Sequence, residues 1–209
     1  MYLMILCDIG NTTYHFLDGK KDFKVATNQK LPKLKSTIYF ISVNKKATKK
    51  LLKSYPDAID IQKYIKFSTK YKGMGIDRKV ACSYISNGIV VDAGSAITVD
   101  VMKNSKHKGG FILPGLNSYK SIYPNISDKL KFELDTNIKL NKLPLNTNQA
   151  INYAILKPII SQIKSLQKKD TPIHFTGGDG KLLEKYFKNT IFEKNLLFES
   201  MKKIIYNYI

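Results

Sequence analysis

Two short motifs in this sequence place an aspartate and a turn of small residues directly after an apolar run. The first covers residues 8–13, DIGNTT, after the apolar run 1–7, and the second covers residues 92–95, DAGS, after the apolar run 89–91. A carboxylate at the end of a buried strand is costly unless a cation or hydrogen-bond donors meet it. Small residues beside the carboxylate let a ligand approach the backbone. Each motif is therefore typical of a place where a phosphate group and its metal ion bind.

A third candidate is the only arginine of the chain, Arg78, which stands among 35 basic residues. Lysine is used at every other basic position, so a single arginine indicates a site that requires the planar, forked guanidinium. That group suits carboxylate and phosphoryl oxygens. The alternative is that the single arginine stands at this position by chance. Asp77 precedes it at the start of a predicted helix over residues 78–86, so this carboxylate could cap the helix. It could equally act as a base for an alcohol, next to a clamp for developing negative charge.

The two aspartate motifs lie in the same local pattern, which indicates an internal duplication. Residues 14–17 and 23–26 predict two further strands after the first motif, and residues 96–102 and 109–113 predict two after the second. Both copies read strand, turn, strand, turn, strand. We therefore expect two similar lobes whose phosphate turns face each other across a cleft.

The remaining elements are predicted from periodicity and turn residues. Predicted strands cover residues 37–43, 59–61, 65–68, 173–175 and 196–198. Predicted helices cover residues 44–54, 117–122, 150–168 (with a kink at Pro158) and 181–188, followed by a short C-terminal helix. Residues 129–144 are polar and predict an irregular linker or lid. Residues 176–180, TGGDG, form a glycine turn after a strand, which fits the adenosine side of a nucleotide.

Composition narrows the class of protein. The chain has 209 residues, of which 43% are hydrophobic, and no apolar run reaches the roughly 18 residues that span a membrane. Nothing at the N-terminus resembles an export signal, and two cysteines make no disulfide framework, so we expect a cytoplasmic protein. The net charge of +19 comes from lysines scattered along the chain. This favours a compositional bias over a nucleic-acid-binding patch, and residues 45–53 predict one solvated helix face.

Five motifs in order resemble those of the type III pantothenate kinases, members of the acetate/sugar kinase–Hsp70–actin superfamily. They are DIGNT from Asp8, GIDR from Gly75, DAGSAIT from Asp92, GGFILPG from Gly109 and TGG from Thr176, and the resemblance extends to about residue 188. It implies an α/β fold of two similar lobes with actin/ribonuclease H-like topology, mixed sheets and a nucleotide cleft between the lobes. We expect residues 1–88 to form the first lobe and residues 89–209 the second.

The resemblance also implies a reaction. A protein of this family transfers the γ-phosphoryl group of ATP to the primary hydroxyl of pantothenate, which gives 4'-phosphopantothenate in the first step of coenzyme A biosynthesis. It implies Mg²⁺ and a monovalent cation, K⁺ or NH₄⁺, as cofactors. Pantothenate and ATP are then the expected ligands, a homodimer is the expected assembly, and neither a membrane nor a nucleic acid is an expected partner.

Carried onto this sequence, the resemblance assigns the site residues by role. The expected ATP-binding residues are Asp8, Ile9, Gly10, Asn11, Thr12, Thr13, Tyr14, His15, Ser95, Gly177 and Gly178. The expected substrate-binding residues are Tyr71, Gly75, Ile76, Asp77, Arg78 and Thr147, the last reaching across a dimer interface. Asp77 resembles the general base, and Arg78 would hold substrate and stabilise the transferring charge. Asp92 resembles the ligand of the monovalent cation, and Asp8 would lie near Mg²⁺.

Two positions depart from the family pattern: Ser95 replaces a usual threonine, and Tyr71 stands closer to Gly75 than the family spacing. Two alternatives to the kinase remain open. One is another phosphotransferase or a phosphatase of the superfamily, in which Asp77 and Arg78 would not serve pantothenate. The other is a non-catalytic regulator whose lysine excess binds DNA, which would show as strongly salt-dependent binding without turnover.

Overall fold

The structure, a computed structural model, describes residues 4–208. It divides into two compact units: the first contains residues up to Tyr84 and those from Leu196 onward, and the second is Ile85–Asn195. Each unit contains one five-stranded sheet, so the prediction of an α/β fold with mixed sheets is confirmed. Residues 1–3 of the predicted first strand and residue 209 of the predicted C-terminal helix lie outside the described residues.

The first unit is built on a mixed sheet with three helices. Its strands are β1 (Ile5–Ile9), β2 (Thr13–Asp18), β3 (Lys21–Ala26), β4 (Ile38–Ser42) and β5 (Ile59–Asp60). Its helices are α1 (Lys45–Ser54), α2 (Ile76–Cys82) and α6 (Leu196–Tyr208). The strand order is β3-β2-β1-β4-β5. The Asn44 side chain accepts a hydrogen bond from the Ala47 N–H, which is why α1 begins where the sequence predicted.

The second unit repeats this plan. Its strands are β6 (Gly88–Ala93), β7 (Ala96–Lys103), β8 (Lys106–Pro114), β9 (Ile173–Thr176) and β10 (Thr190–Phe192). Its helices are α3 (Tyr119–Ile126), α4 (Thr147–Leu166) and α5 (Gly180–Glu184). The strand order is β10-β9-β6-β7-β8. The helix α4 continues through Pro158, as the sequence predicted.

Pairing directions show that the two sheets share one topology. In the first sheet, β1 pairs antiparallel with β2 and parallel with β4. In the second, β6 pairs antiparallel with β7 and parallel with β9. The hairpins β2–β3 and β7–β8 are both antiparallel, and the outer pairs β4–β5 and β9–β10 are both parallel. The internal duplication predicted from the two aspartate motifs is therefore confirmed.

Alternation along the central strands decides which face each aspartate occupies. In β1, Ile5, Cys7 and Ile9 pack in one core cluster with α1, while Leu6 packs in another with α2 and α6. Asp8 is two residues from Leu6 and therefore faces the side of α2 and α6. In β6, the odd-numbered residues from Ile89 to Ala93 pack in a cluster with α4. Asp92 therefore lies on the opposite face of that sheet.

Several predicted elements were wrong in type or extent. Residues 65–68 form no strand, and residues 196–198 are the first turn of α6 instead of a strand. Three apolar residues in a row fit either element, and the buried positions Phe198, Met201 and Ile205 show the helical spacing that decides it. The strand β10 was missed because its three residues, Thr190–Phe192, carry only a weak pattern. Asp8 lies inside β1 and does not end it.

The C-terminal helix α6 belongs to the first unit, whereas the sequence division placed residues 89–209 in one lobe. Phe198, Met201 and Ile204 pack in the cluster that contains Leu6 of β1 and Val80 of α2. The physical reason is that α6 has an apolar stripe, and the α2 side of the first sheet offers an apolar surface that this stripe covers.

We expect Phe198→Ala to lower the free energy of unfolding by about 3–5 kcal/mol, because its side chain is 2% exposed and its removal leaves a cavity. Tyr206→Ala, at a position 66% exposed on the same helix, should change it by less than about 0.5 kcal/mol. Urea denaturation of both variants measures the difference. Equal stability of the two variants would contradict the packing of α6.

Candidate active site

The turn after β1 is held by its own backbone and by a side chain from α1's cap. The Gly10 N–H donates to the Thr13 carbonyl at 2.9 Å, and the Thr27 N–H donates to the Thr12 carbonyl at 2.9 Å. The Asn44 amide nitrogen donates to the Asn11 carbonyl at 3.1 Å. Asn11 and Thr12 are exposed. The first predicted phosphate turn is thus a fixed loop with an exposed tip.

Two residues predicted in this turn point their side chains away from it. Ile9 and Tyr14 are fully buried, and the Tyr14 hydroxyl donates to the Ala47 carbonyl at 2.8 Å. Their side chains therefore anchor the turn to the core, so that only their backbone can meet a ligand. Burial also raises the pKa of the neighbouring Cys7 thiol, and the charge of Asp8 raises it further, which keeps that thiol protonated and unreactive.

Asp8 and His15 face the same side of the first sheet. They are directly paired across β1 and β2, so their side chains are neighbours on the α2 side. His15 Nε2 lies 2.6 Å from Asp22 Oδ1, and its ring makes an edge contact with the Phe198 ring at 4.8 Å between centroids. The sequence prediction included His15 but missed Asp22, the carboxylate that orients it.

The start of α2 brings together the residues predicted to bind the alcohol substrate. Gly75 precedes the helix, and Asp77 is its second residue. Asp77 Oδ1 accepts a hydrogen bond from the Arg78 N–H at 2.8 Å. The residue at the cap position is Gly75, so the alternative that Asp77 caps the helix is wrong. A Cβ at Gly75 would collide with the Asp77 carboxylate. The glycine therefore leaves the room that this carboxylate occupies.

The guanidinium of Arg78 is buried and stacked on an aromatic ring. The residue is 6% exposed, and its Cζ lies 4.8 Å from the centroid of the Tyr71 ring. This contact brings Tyr71 next to Arg78, and the predicted contact of Tyr71 with substrate stays a prediction. The flat guanidinium and the ring face are a favourable pair, and the contact limits the orientations that the Arg78 side chain can adopt.

The second aspartate turn lies in a row of oxygen-bearing side chains. Asp92 is in register with Thr98 on β7 and with Thr176 on β9, so the three side chains share one face of the sheet. Thr176 Oγ1 donates to the Lys194 carbonyl, 3.3 Å away. The row offers hard oxygen ligands of the kind that alkali and alkaline-earth cations prefer.

Two glycines let neighbouring segments approach this turn at backbone distance. A Cβ at Gly115 would collide with the carbonyl oxygen of Gly94 and lie 2.6 Å from that of Ser95. A Cβ at Gly177, whose φ is +83°, would lie 2.5 Å from the Ala93 carbonyl oxygen and from Asp92 Oδ1. Three motifs that are far apart in sequence therefore form one site in the second unit.

Thr147 occupies a different surface of the second unit. It is the exposed first residue of α4, where the Asn146 side chain accepts the Gln149 N–H at 3.0 Å. It lines an open depression of about 560 Å³ together with Tyr123, Leu130 and Leu145, among others. Leu145 is 97% exposed. The structure therefore does not bring Thr147 together with the turn at Asp92.

The sequence prediction missed two histidine–carboxylate pairs in the second unit. His107 Nε2 lies 2.8 Å from Asp100 Oδ1, both buried, and His174 Nδ1 lies 3.0 Å from Glu193 Oε1. The pair Asp100–His107 has a detectable signal, since both it and the pair His15–Asp22 are seven residues apart across a hairpin. His174 lies in β9 and Glu193 directly follows β10, and sequence spacing does not reveal this pair.

The described residues contain no ready-made divalent metal centre. Within residues 4–208, no group of three or more His, Cys, Asp or Glu side chains is arranged to hold a metal ion. Mg²⁺ in phosphate-transferring sites is held by one or two carboxylates plus substrate phosphates and water. Asp8, beside the first predicted phosphate turn, fits an ion of that kind. In that same part of the chain, no helix is long and apolar enough to cross a membrane.

The two related sheets define an α/β fold that is found in a solved structure of another protein. A solved structure of a candidate 2-dehydro-3-deoxygalactonokinase from Sinorhizobium meliloti shares this fold, with a TM-score of 0.58 at 8% identity over 100% of this chain and 97% of the other. A family model described as type III pantothenate kinase matches residues 39–169. The chain belongs to the type III pantothenate kinase family.

Individual relatives cover almost the whole chain. A type III pantothenate kinase of Campylobacter jejuni (strain RM1221) is 46% identical over 97% of this chain and 96% of its own length. One of Helicobacter hepaticus is 42% identical over 97% of this chain and 98% of its own. A crystal structure of a Campylobacter jejuni protein, described as a conserved candidate transcriptional activator of the Baf family, has a TM-score of 0.88 at 44% identity and covers 97% of this chain and 98% of that one.

We expect Gly115→Ala to lower the free energy of unfolding by about 1–3 kcal/mol, because the new methyl group meets backbone oxygens that cannot turn aside. Gly178→Ala is the matched control, since a Cβ there has nothing within 4 Å. Urea denaturation measures both. If the two variants are equally stable, the close packing of Gly115 on the turn at Asp92 is disproved.

Proposed function

We propose that this chain transfers the γ-phosphoryl group of ATP to the primary hydroxyl of pantothenate, the committed first step of coenzyme A biosynthesis. The observation that carries the proposal is the start of α2, where Asp77 is followed by the buried Arg78, whose guanidinium lies over the Tyr71 ring. This chain's membership of the type III pantothenate kinase family supports it. Phosphoryl transfer needs positioning and charge neutralisation more than covalent help, and these residues supply both.

In this proposal Asp77 accepts the proton of the substrate hydroxyl. The hydroxyl oxygen of the substrate forms a bond to the γ-phosphorus, and the bond between that phosphorus and the oxygen that bridges it to the β-phosphate breaks. ADP leaves, and the proton remains on the carboxylate until solvent takes it. Arg78 holds substrate and balances the charge that spreads over the transferring group. Gly75 and Ile76 contribute backbone at the helix start, and the Tyr71 ring fixes the guanidinium plane.

Binding of ATP is assigned to the small-residue turns of both units. In the first unit the exposed turn at residues 10–13 offers backbone groups, with Asp8 and His15 behind it. In the second unit Ser95 and the turn at Gly177 and Gly178 lie on either side of Ala93, whose carbonyl accepts the Asp179 N–H at 2.9 Å. Ser95 keeps the hydroxyl of the usual threonine, and the second glycine turn would meet the adenosine.

Two cations complete the proposed site. Asp8 would hold Mg²⁺ together with the phosphates, and Asp92 would hold a monovalent cation, K⁺ or NH₄⁺, with Thr98 and Thr176 beside it in the same row. When bound, these ions neutralise negative charge on the triphosphate. The surrounding residues of the chain hold the two carboxylates in place, and small residues next to each carboxylate leave room for an ion.

A homodimer is part of the proposal, because Thr147 is assigned to pantothenate across a subunit interface. Thr147 and the strongly exposed Leu145 line one open depression, and Leu143 beside them is 80% exposed. Exposed apolar side chains grouped in this way are typical of an interaction surface. A second copy of the chain would cover them.

Two other functions need to be distinguished. A different phosphotransferase would bind ATP through the same turns and act on another alcohol. A DNA-binding regulator is favoured by one comparison, because the Campylobacter jejuni structure is described as a candidate transcriptional activator. Its binding to DNA would weaken steeply with salt and would need no Asp77.

The first test is ATP consumption with pantothenate, Mg²⁺ and either K⁺ or Na⁺, for the wild type and Asp77→Asn. We expect turnover that requires pantothenate and K⁺, and a fall in kcat of about 10²–10⁴-fold in the variant. Asparagine keeps an oxygen that can accept the Arg78 N–H, so the variant removes the base and leaves the helix start intact.

The controls separate the competing functions. Thermal unfolding of Asp77→Asn should match the wild type, because the hydrogen bond at the helix start is kept. If the wild type binds ATP but pantothenate stimulates nothing, the substrate assignment fails and other alcohols must be screened. Full activity of Asp77→Asn would remove Asp77 as the base, and salt-sensitive DNA binding without turnover would favour the regulator.

We expect Arg78→Lys to lower kcat/KM for pantothenate by about 10–100-fold, because lysine offers neither the fork nor the flat face that stacks on Tyr71. Steady-state kinetics with varied pantothenate measure this. Lys79→Arg, which adds a guanidinium at the next position, is the matched control and should leave kcat/KM unchanged. An Arg78→Lys variant with wild-type kinetics would show that any cation suffices there.

A further inference from the structure

An extended strap, residues 131–140, lies in the second unit outside its sheet. All of these residues are described by the structure, and none of them belongs to a helix or a strand. Their burial alternates strictly, so that the even-numbered residues are half-buried and the odd-numbered ones are exposed. Among the even-numbered residues, Phe132, Leu134, Ile138 and Leu140 pack against the core of the unit. A segment extended in this way has no neighbouring strand for its backbone N–H and carbonyl groups, so water or side chains must meet them.

Two asparagines of α4 take the place of the missing strand partner. Asn148 Oδ1 accepts the Glu133 N–H at 2.9 Å. One helical turn further along α4, Asn152 Oδ1 accepts the Asp135 N–H at 2.9 Å, and the amide nitrogen of Asn152 donates to the Glu133 carbonyl at 2.8 Å. Asn152 is fully buried. A side-chain amide offers an acceptor and a donor as a peptide group does, so Asn152 pairs with the strap backbone in the way a strand would.

Other side chains fasten the second half of the strap. The Tyr186 hydroxyl donates to the Thr136 carbonyl, and the Lys157 ammonium donates to the Leu140 carbonyl at 3.0 Å. Side chains therefore bind the strap backbone along most of its length. This favours a fixed strap over the lid that was considered from the sequence.

The strap adjoins one wall of the depression that contains Thr147. Tyr123 and Leu130 line that depression together with Thr147. The Tyr123 ring makes an edge contact with the Phe132 ring of the strap at 5.5 Å between centroids, and Leu130 directly precedes the strap. Asn148 directly follows Thr147 in α4. The asparagines therefore tie the strap, and with it this wall, to the helix that carries Thr147.

We propose that Asn148 and Asn152 are positioning residues for pantothenate. They fasten the strap to α4 and so keep the depression at Thr147 in the shape that a second copy of the chain fits. The inference rests on the proposed function, which assigns Thr147 to pantothenate across a subunit interface. Release of the strap would free Tyr123 and Leu130 to move, and the second copy would then meet Thr147 less precisely. Neither asparagine itself contacts substrate.

The first measurement is hydrogen exchange in the full chain, followed by NMR at the strap amides. We expect the Glu133 amide to exchange about three- to tenfold faster in Asn148→Ala, because one hydrogen bond is lost at a half-buried position. Asn148→Asp is the conservative partner, since a carboxylate oxygen accepts the same N–H and should retain the protection. Asn152→Ala should release the Asp135 amide in the same way.

Steady-state kinetics and sedimentation measure the consequence for the site. In both alanine variants we expect KM for pantothenate and Kd of the homodimer to rise about three- to tenfold, while KM for ATP and kcat stay within about twofold. Asn148→Asp should keep the wild-type values. Ile163→Val, at a fully buried position near the opposite end of α4 from Thr147, is the control for a general loss of stability and should leave all four constants unchanged.

The outcomes separate this inference from the proposed function. If the strap amides are released but KM for pantothenate and the dimer are unaffected, the positioning role is overturned and the kinase proposal stands. If KM for ATP rises as much as KM for pantothenate, the asparagines are only structural and the inference also fails. If the wild type shows no turnover that depends on pantothenate, the proposed function itself fails, and the inference fails with it.

Discussion

The site in the second unit depends on contact between backbones, which two glycines permit. Gly115 and Gly177 approach the turn at Asp92 so closely that a methyl group on either would collide with main-chain or carboxylate oxygens. The turn is thereby fixed by segments that follow β8 and β9, without any side chain filling the space where a ligand must come. Strand register then sets Thr98 and Thr176 beside Asp92. The position of the turn in the second unit is therefore fixed because Gly115 and Gly177 have no side chain at the points of closest approach.

The first unit positions Asp77 and Arg78 in a different way. There a short helix, α2, presents Asp77 and Arg78 from its first turn, and its inner residues Ile76 and Val80 pack with Leu6 of β1. Asp8 lies on that same face of the sheet. The carboxylate is tied to the backbone at the helix start, and the guanidinium is fixed by stacking on Tyr71. Core packing of the helix therefore determines where both groups point.

The sequence predicted what depends on neighbours along the chain and missed what depends on distant partners. The turns at Asp8 and Asp92 and the duplicated hairpins follow from local patterns, and both sheets confirm them. The place of α6 in the first unit does not follow, because an apolar stripe does not say which surface it covers.

Each of the hairpins β2–β3 and β7–β8 contains one histidine–aspartate pair, and the order of the two residues differs between the hairpins. His15 lies three residues before the pair that closes the β2–β3 hairpin, and Asp22 lies one residue after it. In the β7–β8 hairpin, Asp100 and His107 occupy the corresponding positions with acid and base exchanged. The contact between the two strands can form in either arrangement, because either strand can supply the histidine or the aspartate. The two hairpins therefore share one linked pair of positions, and which position holds the histidine and which the aspartate differs between them.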